Sequence, residues 1–175
     1  NKTFYKEYII KFTLLFLFVL FQGFIGWYMV ESGLVNNVTV SHFRLSLHLF
    51  NAFVIFSSLT WIYFIFKFKV NKKFFNNSTK ISLIKLFLFL IFLQIIVGAF
   101  VSGLDAGKLY QTWPLMNQNY FPDDLDIKSF FSISNLSNES FVQFIHRNLA
   151  YLIFLTFIFI GYKVIKLKMI YLYKS

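Results

Sequence analysis

Long apolar runs broken by short polar stretches set the pattern of this chain. Four runs are long enough to cross a bilayer: about Phe12 to Val30, about Leu45 to Phe66, about Leu86 to Leu104 and about Phe141 to Tyr162. A helix rises about 1.5 Å per residue, so about 20 apolar residues cover a hydrocarbon core of about 30 Å. The first run follows Lys2, Lys6 and Lys11, as the core of a secretion signal would. It is too long for one, and it ends in Met29-Val30-Glu31-Ser32-Gly33-Leu34 rather than at a small-residue cleavage site. It reads as a retained helix. The predicted fold class is all-α: a polytopic membrane protein with four transmembrane helices, each satisfying its own backbone hydrogen bonds in lipid.

The polar stretches orient these spans. Basic residues collect before span one (Lys2, Lys6, Lys11), between spans two and three (Lys67, Lys69, Lys72, Lys73, Lys80, Lys85) and after span four (Lys163, Lys166, Lys168, Lys174). Acids collect on the other side: Glu31, Asp105, Asp123, Asp124, Asp126 and Glu139. The excess of Lys and Arg marks the cytoplasmic or matrix side, so both termini are expected inside. The location that follows is a bacterial cell membrane or the mitochondrial inner membrane. The long outer stretch, about Asp105 to Ser140, carries Trp113-Pro114 and Phe121-Pro122-Asp123-Asp124. It is too long for a plain connector and is expected to fold over the outer face of the bundle.

Composition adds little to this and excludes more. The chain has 175 residues, 58% of them hydrophobic and 27 of them Phe, too much apolar surface for one soluble domain to hide. A net charge of +10 could suggest nucleic acid, but its segregation between apolar runs assigns it to membrane topology, and no nucleic-acid partner is expected. Without cysteine there is no disulfide, thiolate or iron–sulfur chemistry, which leaves three histidines and seven acids as candidate metal ligands.

An internal repeat emerges next. Gln22 is followed at i+4 by Gly26 and then by Ser32-Gly33-Leu34; Gln94 is followed at i+4 by Gly98 and then by Ser102-Gly103-Leu104. Spans two and four open alike, His48 leading to Asn51 and Ala52, His146 to Asn148 and Ala150. Shared Phe and Leu could arise from composition alone; Gln, Ser-Gly-Leu, His and Asn in one order point to a repeat. Both halves start inside, so the repeats are parallel. The division expected is a first helix pair over 1–66 (spans 12–30 and 45–66), an inside basic loop over 67–85, and a second pair over 86–175 (spans 86–104 and 141–162) containing the outer loop 105–140.

His48 and His146 both fall near the outer ends of inward-running spans. Neutral imidazole is a usual axial ligand of haem iron, and facing helices of a bundle commonly supply it. Alanine at i+4 in each case, Ala52 and Ala150, leaves room on the same helix face for a porphyrin. Arg44 and Arg147 could meet haem propionates at the polar boundary. The plainer alternative is an interfacial histidine bonded to water or a neighbouring helix, with Arg147 a snorkelling anchor. His42 reads as a surface residue, and Gln22, Gln94, Gly23, Gly26 and Gly98 as residues of helix packing.

With these residues in hand, the chain resembles haem A synthase of the type found in mitochondria and related bacteria. The matching strings are Gln22-Gly23-Phe24-Ile25-Gly26-Trp27-Tyr28-Met29-Val30-Glu31-Ser32-Gly33-Leu34 and Val40-Ser41-His42-Phe43-Arg44-Leu45-Ser46-Leu47-His48-Leu49. They continue with Gln94 through Gly98-Ala99-Phe100-Val101-Ser102-Gly103-Leu104-Asp105-Ala106-Gly107, then Thr112-Trp113-Pro114-Leu115-Met116, then Gln143-Phe144-Ile145-His146-Arg147-Asn148-Leu149-Ala150-Tyr151. Gln111 stands where the family pattern leads us to expect Asn.

The resemblance implies half of an eight-helix haem-binding bundle, built from two four-helix halves that each direct two histidines at a haem. It implies oxidation of the C8 methyl of haem O to a formyl group for cytochrome oxidase assembly, with haem b as cofactor and haem O as substrate. His48 and His146 would be iron ligands of different haems, with Arg44 and Arg147 as further haem-binding candidates; no catalytic residue is assigned. The family's first two and last two helices have no counterpart here, so the chain by itself is expected to be inactive. Expected partners are lipid, haem O and haem A, haem O synthase, cytochrome oxidase assembly factors and a second copy of the chain. The runner-up function is a non-enzymatic haem b-binding membrane subunit or electron conduit.

Overall fold

The computed structural model describes residues 2–33, 40–68, 79–126 and 130–166. Helices α1 (Lys2–Gly33), α2 (His42–Phe68), α3 (Thr79–Gly103) and α4 (Glu139–Lys166) account for the four spans. Among the described residues no strand forms; Met116 and Asn119 make one isolated bridge. Each of the four helices contains a stretch long and apolar enough to span a bilayer. Every helix outruns the apolar run that predicts it at one end at least. Hydropathy marks the lipid-crossing part only, whereas the backbone ladder continues into the interface at no cost in hydrogen bonds. The expected inside loop 67–85 is accordingly helical at both ends, to Phe68 and from Thr79; its middle, 69–78, lies outside the described residues, as do 34–39, 127–129 and 167–175.

The start of α4 is fixed locally. Asn138 precedes it, and its Oδ1 accepts from the Phe141 amide at 2.9 Å, satisfying one of the donors a helix N-terminus leaves free. Glu139 sits in the first turn, Lys163 and Lys166 in the last, each at the end its charge favours.

The helices pack in sequence, α1 on α2, α2 on α3 and α3 on α4. Helix α3 is the inner member: 17% of its apolar window is buried, against 6% for α1 and for α4. Leu90 and Val97 of α3 pack on Leu149 of α4, with Leu93, Ile145 and Ile153 around them. Toward the outer end Phe100, Ala106 and Val142 close a second cluster. Six consecutive residues of α1, Phe16 to Phe21, are all exposed, so this helix is apolar on every side. That is the surface a helix presents to lipid or to further helices.

A close contact joins α2 and α3. A Cβ on Gly103 would lie 2.8 Å from both Cα and Cβ of His42, so only glycine lets the end of α3 meet the start of α2. His42 is therefore half-buried, its ring edge-on to Phe100 at 5.4 Å and its Nε2 3.2 Å from Ser137 Oγ. It is not the surface residue its sequence position suggested: α2 begins three residues earlier than its apolar run and carries His42 into the helix junction.

The described part of the 105–140 segment, the outer segment of the expected topology, packs against the ends of α3 and α4. Past Gly103 the chain turns through Asp105, whose φ of 56° is left-handed, into a 3₁₀ turn at Ala106–Lys108 that packs on both helices. Ala106, Met116 and Pro122 are fully buried beneath it. Phe121, Phe130, Phe141 and Phe144 form an aromatic cluster with ring centroids 5.1 to 6.2 Å apart.

Candidate functional site

The helix pair α1–α2 turns His48 onto Gln22. The Gln22 amide nitrogen lies 3.1 Å from the His48 carbonyl oxygen and 3.0 Å from His48 Nε2. A carbonyl only accepts, so the atom facing it is the NH2 group, and Nε2 is then the acceptor of its second hydrogen. Gln22 Oε1 accepts from Asn51 Nδ2 at 2.7 Å, and Asn51 in turn donates to the Phe18 carbonyl at 3.3 Å. Gly26, one helical turn after Gln22, makes room for the ring: a Cβ there would lie 3.2 Å from His48 Cε1 and 3.7 Å from Nδ1.

The pair α3–α4 presents the same residues with nearly the same distances. Gln94 Nε2 lies 3.2 Å from both the His146 carbonyl oxygen and His146 Nε2. A Cβ on Gly98 would meet His146 Cε1 at 3.2 Å and Nδ1 at 3.7 Å. One partner differs. Leu149 occupies the place three residues after the histidine that Asn51 holds in the first pair, and Gln94 Oε1 is buried without a hydrogen bond. Among the described residues Nδ1 of both histidines is likewise buried without a hydrogen-bond partner.

The two arginines do different things. Arg44, one turn outward of His48, stacks its guanidinium over the Tyr28 ring at 5.1 Å. Arg147 turns away from the helix and donates to three carbonyls of the outer segment: Tyr110 at 2.6 Å, Thr112 at 2.8 Å and Leu115 at 3.2 Å. Its neighbours join in. Gln143 exchanges hydrogen bonds with the Tyr110 backbone, donating to the carbonyl at 2.9 Å and accepting from the amide at 3.2 Å, and the Tyr120 hydroxyl donates to Asn148. The buried Tyr110 hydroxyl donates to Asp124 at 3.0 Å. Burial foremost, with Asp124 and Asp123 adding and Ser140 opposing, pushes its pKa above the ordinary value, so it remains a neutral donor. Residues 143, 147 and 148, on either side of His146, thus tie the outer segment to α4.

Among the described residues no three His, Asp or Glu side chains gather as a metal-ion site would require. Single imidazoles are instead suited to an ion whose other ligands come with it, as porphyrin nitrogens do for iron. The donor set fits such a group: each imidazole is half-buried with its Nε2 lone pair turned to an amide donor, and no described residue bonds its Nδ1.

The family profile described as cytochrome oxidase assembly protein, COX15-CtaA, matches residues 1–173. The chain belongs to this COX15-CtaA family. Among curated relatives, the haem A synthase of Pelagibacter ubique is 43% identical over 152 residues, covering 87% of this chain and 44% of the relative. That of Wolbachia from Culex pipiens is 44% identical over 148 residues, 85% of this chain and 45% of the relative. The Rickettsia felis haem A synthase is 43% identical over 139 residues, 77% and 40% respectively. The chain therefore spans less than half the length of these relatives. No solved structure matches it. As a COX15-CtaA member with four membrane-spanning helices, it is a multi-pass membrane protein in contact with lipid.

Of the site residues drawn from the sequence, His48 and His146 lie in separate helix pairs, each with the glutamine and glycine of the preceding helix, while Arg44 meets Tyr28 and Arg147 meets the outer segment. Sequence reasoning missed that the glutamines meet the histidines. The Gln-x3-Gly spacing in two helices, each followed by a histidine-bearing helix, was the available signal.

Proposed function

We propose that the complete protein is a haem A synthase that oxidises the C8 methyl of haem O to a formyl group, and that His48 and His146 each supply one axial ligand, to different haems. Methyl to formyl takes one oxygen atom, at the level of water, and releases four protons and four electrons, and bound haem b would supply the one-electron redox chemistry that passes those electrons to an acceptor outside the protein. This chain's own residues bind and orient. Each helix pair offers one neutral imidazole, Ala52 or Ala150 keeps the same face open one turn deeper, and Arg147 holds the outer segment beside His146. The observation that carries the reading is the matched Gln–His–Gly arrangement of both helix pairs, in a chain whose relatives are named haem A synthase. The same match supports reading the pairs as parallel repeats within a larger haem-binding bundle. The test is to express the complete protein where haem O is made but no other synthase is present, and to chromatograph the extracted haems. Haem A is expected from the complete protein and none from residues 1–175 alone, which offer one of these imidazoles to each haem. Haem bound without any conversion would favour the electron-conduit reading instead.

We propose further that both ends of the chain and the loop between α2 and α3 face the inside, because the basic residues collect there. Single cysteines at positions 76 and 119 test this with a membrane-impermeant thiol reagent on intact cells. Labelling is expected at 119 alone, and labelling at 76 with protection at 119 would invert the topology.

A further inference from the structure

The described residues leave one fact that ligation by itself does not explain: why a glutamine amide stands against the lone pair of each histidine. In the first pair the hydrogen-bond directions allow one assignment. The Phe18 carbonyl fixes the Asn51 amide, Asn51 Nδ2 fixes Gln22 Oε1 as acceptor, and the His48 carbonyl fixes Gln22 Nε2 as donor. Nε2 of His48 can then only accept, so its imidazole is neutral, with the proton on Nδ1. The second pair repeats the two bonds from Gln94 to His146 and so sets the same tautomer. Gly26 and Gly98 keep the ring in place against the helix, since a Cβ at either would press on Cε1.

We infer that Gln22 and Gln94 are positioning residues that hold the two imidazoles in the Nδ1–H tautomer, with the Nε2 lone pair capped by an amide N–H that haem iron displaces. The inference rests on the ligand reading of His48 and His146 given above. A neutral imidazole buried in a membrane with its lone pair uncapped would carry an unmatched acceptor, and in the other tautomer it would have no lone pair on Nε2 to give. A glutamine provides a donor that keeps the lone pair in place yet forms a bond weak enough to be exchanged for a metal–nitrogen bond. The pairs differ in how firmly the cap is held. Gln22 is anchored by Asn51, whereas Gln94 Oε1 has no partner beside Leu149. Displacement at His146 therefore breaks a looser arrangement than at His48.

The test uses the complete protein and two substitutions of opposite chemistry. Gln94→Leu removes the cap without replacing it, so haem loading at His146 is expected to fall a few-fold, while the haem that does bind keeps its low-spin spectrum and an unchanged midpoint potential. Gln94→Glu puts a carboxylate acceptor against Nε2, which draws the ring proton there and takes the lone pair away. About tenfold less haem is expected at this site, the scale on which outer-shell partners of a metal ligand act. A Gln94→Glu protein that loads haem like the unsubstituted one, or a Gln94→Leu protein whose potential shifts, would show a support that persists on the bound ligand and overturn the inference. Because a buried glutamate could prevent insertion, a second measurement is made without substitution. Nitrogen-15 shifts of histidine-labelled, haem-free complete protein are expected to report Nδ1–H at both sites, and Nε2–H there would also sink the idea. If His146→Ala keeps the spectrum, the ligand reading itself falls; if only the glutamine results fail, that reading stands.

Discussion

Replacing His146 by alanine in the complete protein is expected to abolish the low-spin absorption of one haem and leave the other. Two imidazoles on opposite sides of an iron give the low-spin state, and losing one leaves the iron five-coordinate and its spectrum high-spin or absent. The change should be confined to one centre because His48 and His146 sit in separate helix pairs, each with its own glutamine and glycine. His48→Ala is expected to affect the other haem in the same way. Alanine removes a ring that packs against Gly98, but the α3–α4 seam is held mainly by Leu90, Val97 and Leu149, so the protein should still accumulate in the membrane. An unchanged reduced-minus-oxidised spectrum of His146→Ala at normal protein levels would refute ligation.

The four spans were legible in the sequence because they rest on a strong one-dimensional signal, and a similar plainness singled out His48 and His146 as candidates. A run of about 20 apolar residues has no competing interpretation in a chain this hydrophobic, and a histidine among Phe and Leu stands out. The helix ends were less legible, since a helix such as α1, begun at Lys2, leaves the hydrocarbon without changing its backbone. The role of Gly103 was hidden for another reason. Its need arises from a contact with His42, sixty-one residues earlier, and nothing in the local sequence around either reports it. The glutamines fall between these cases: their spacing was visible in both halves, but the atom each one meets depends on how the helices are rotated. Arg147 was the least legible. An arginine beside a candidate ligand histidine near a membrane boundary reads naturally as a propionate partner, and only the folded outer segment reveals three carbonyls already converging on it.

Replacing Arg147 by alanine is accordingly expected to loosen the outer segment. The guanidinium donates to the carbonyls of Tyr110, Thr112 and Leu115, which span the turn containing Trp113-Pro114. Hydrogen bonds from a charged donor contribute about 1.5 to 3 kcal/mol each when desolvated, but two of these three lie on the exposed side. A total of about 2 to 3 kcal/mol is the reasonable expectation, or roughly one to two powers of ten in the opening equilibrium at about 1.4 kcal/mol per power. Some attachments survive, namely the Gln143–Tyr110 pair, the Tyr120–Asn148 bond and the buried Met116, so the segment should open locally rather than unfold the helices. Hydrogen exchange reads this directly. The amides of Met116 and Asn117 are bonded to Asn119 and Thr112 within the segment, and they should exchange about ten to a hundred times faster in Arg147→Ala, while those of α3 and α4 are unchanged. Arg147→Lys should recover only part of the protection, because an ammonium on a flexible stem cannot reach three carbonyls as a planar fork does. Unchanged exchange at these amides, together with weakened haem binding, would return Arg147 to the propionate role that its sequence position suggested.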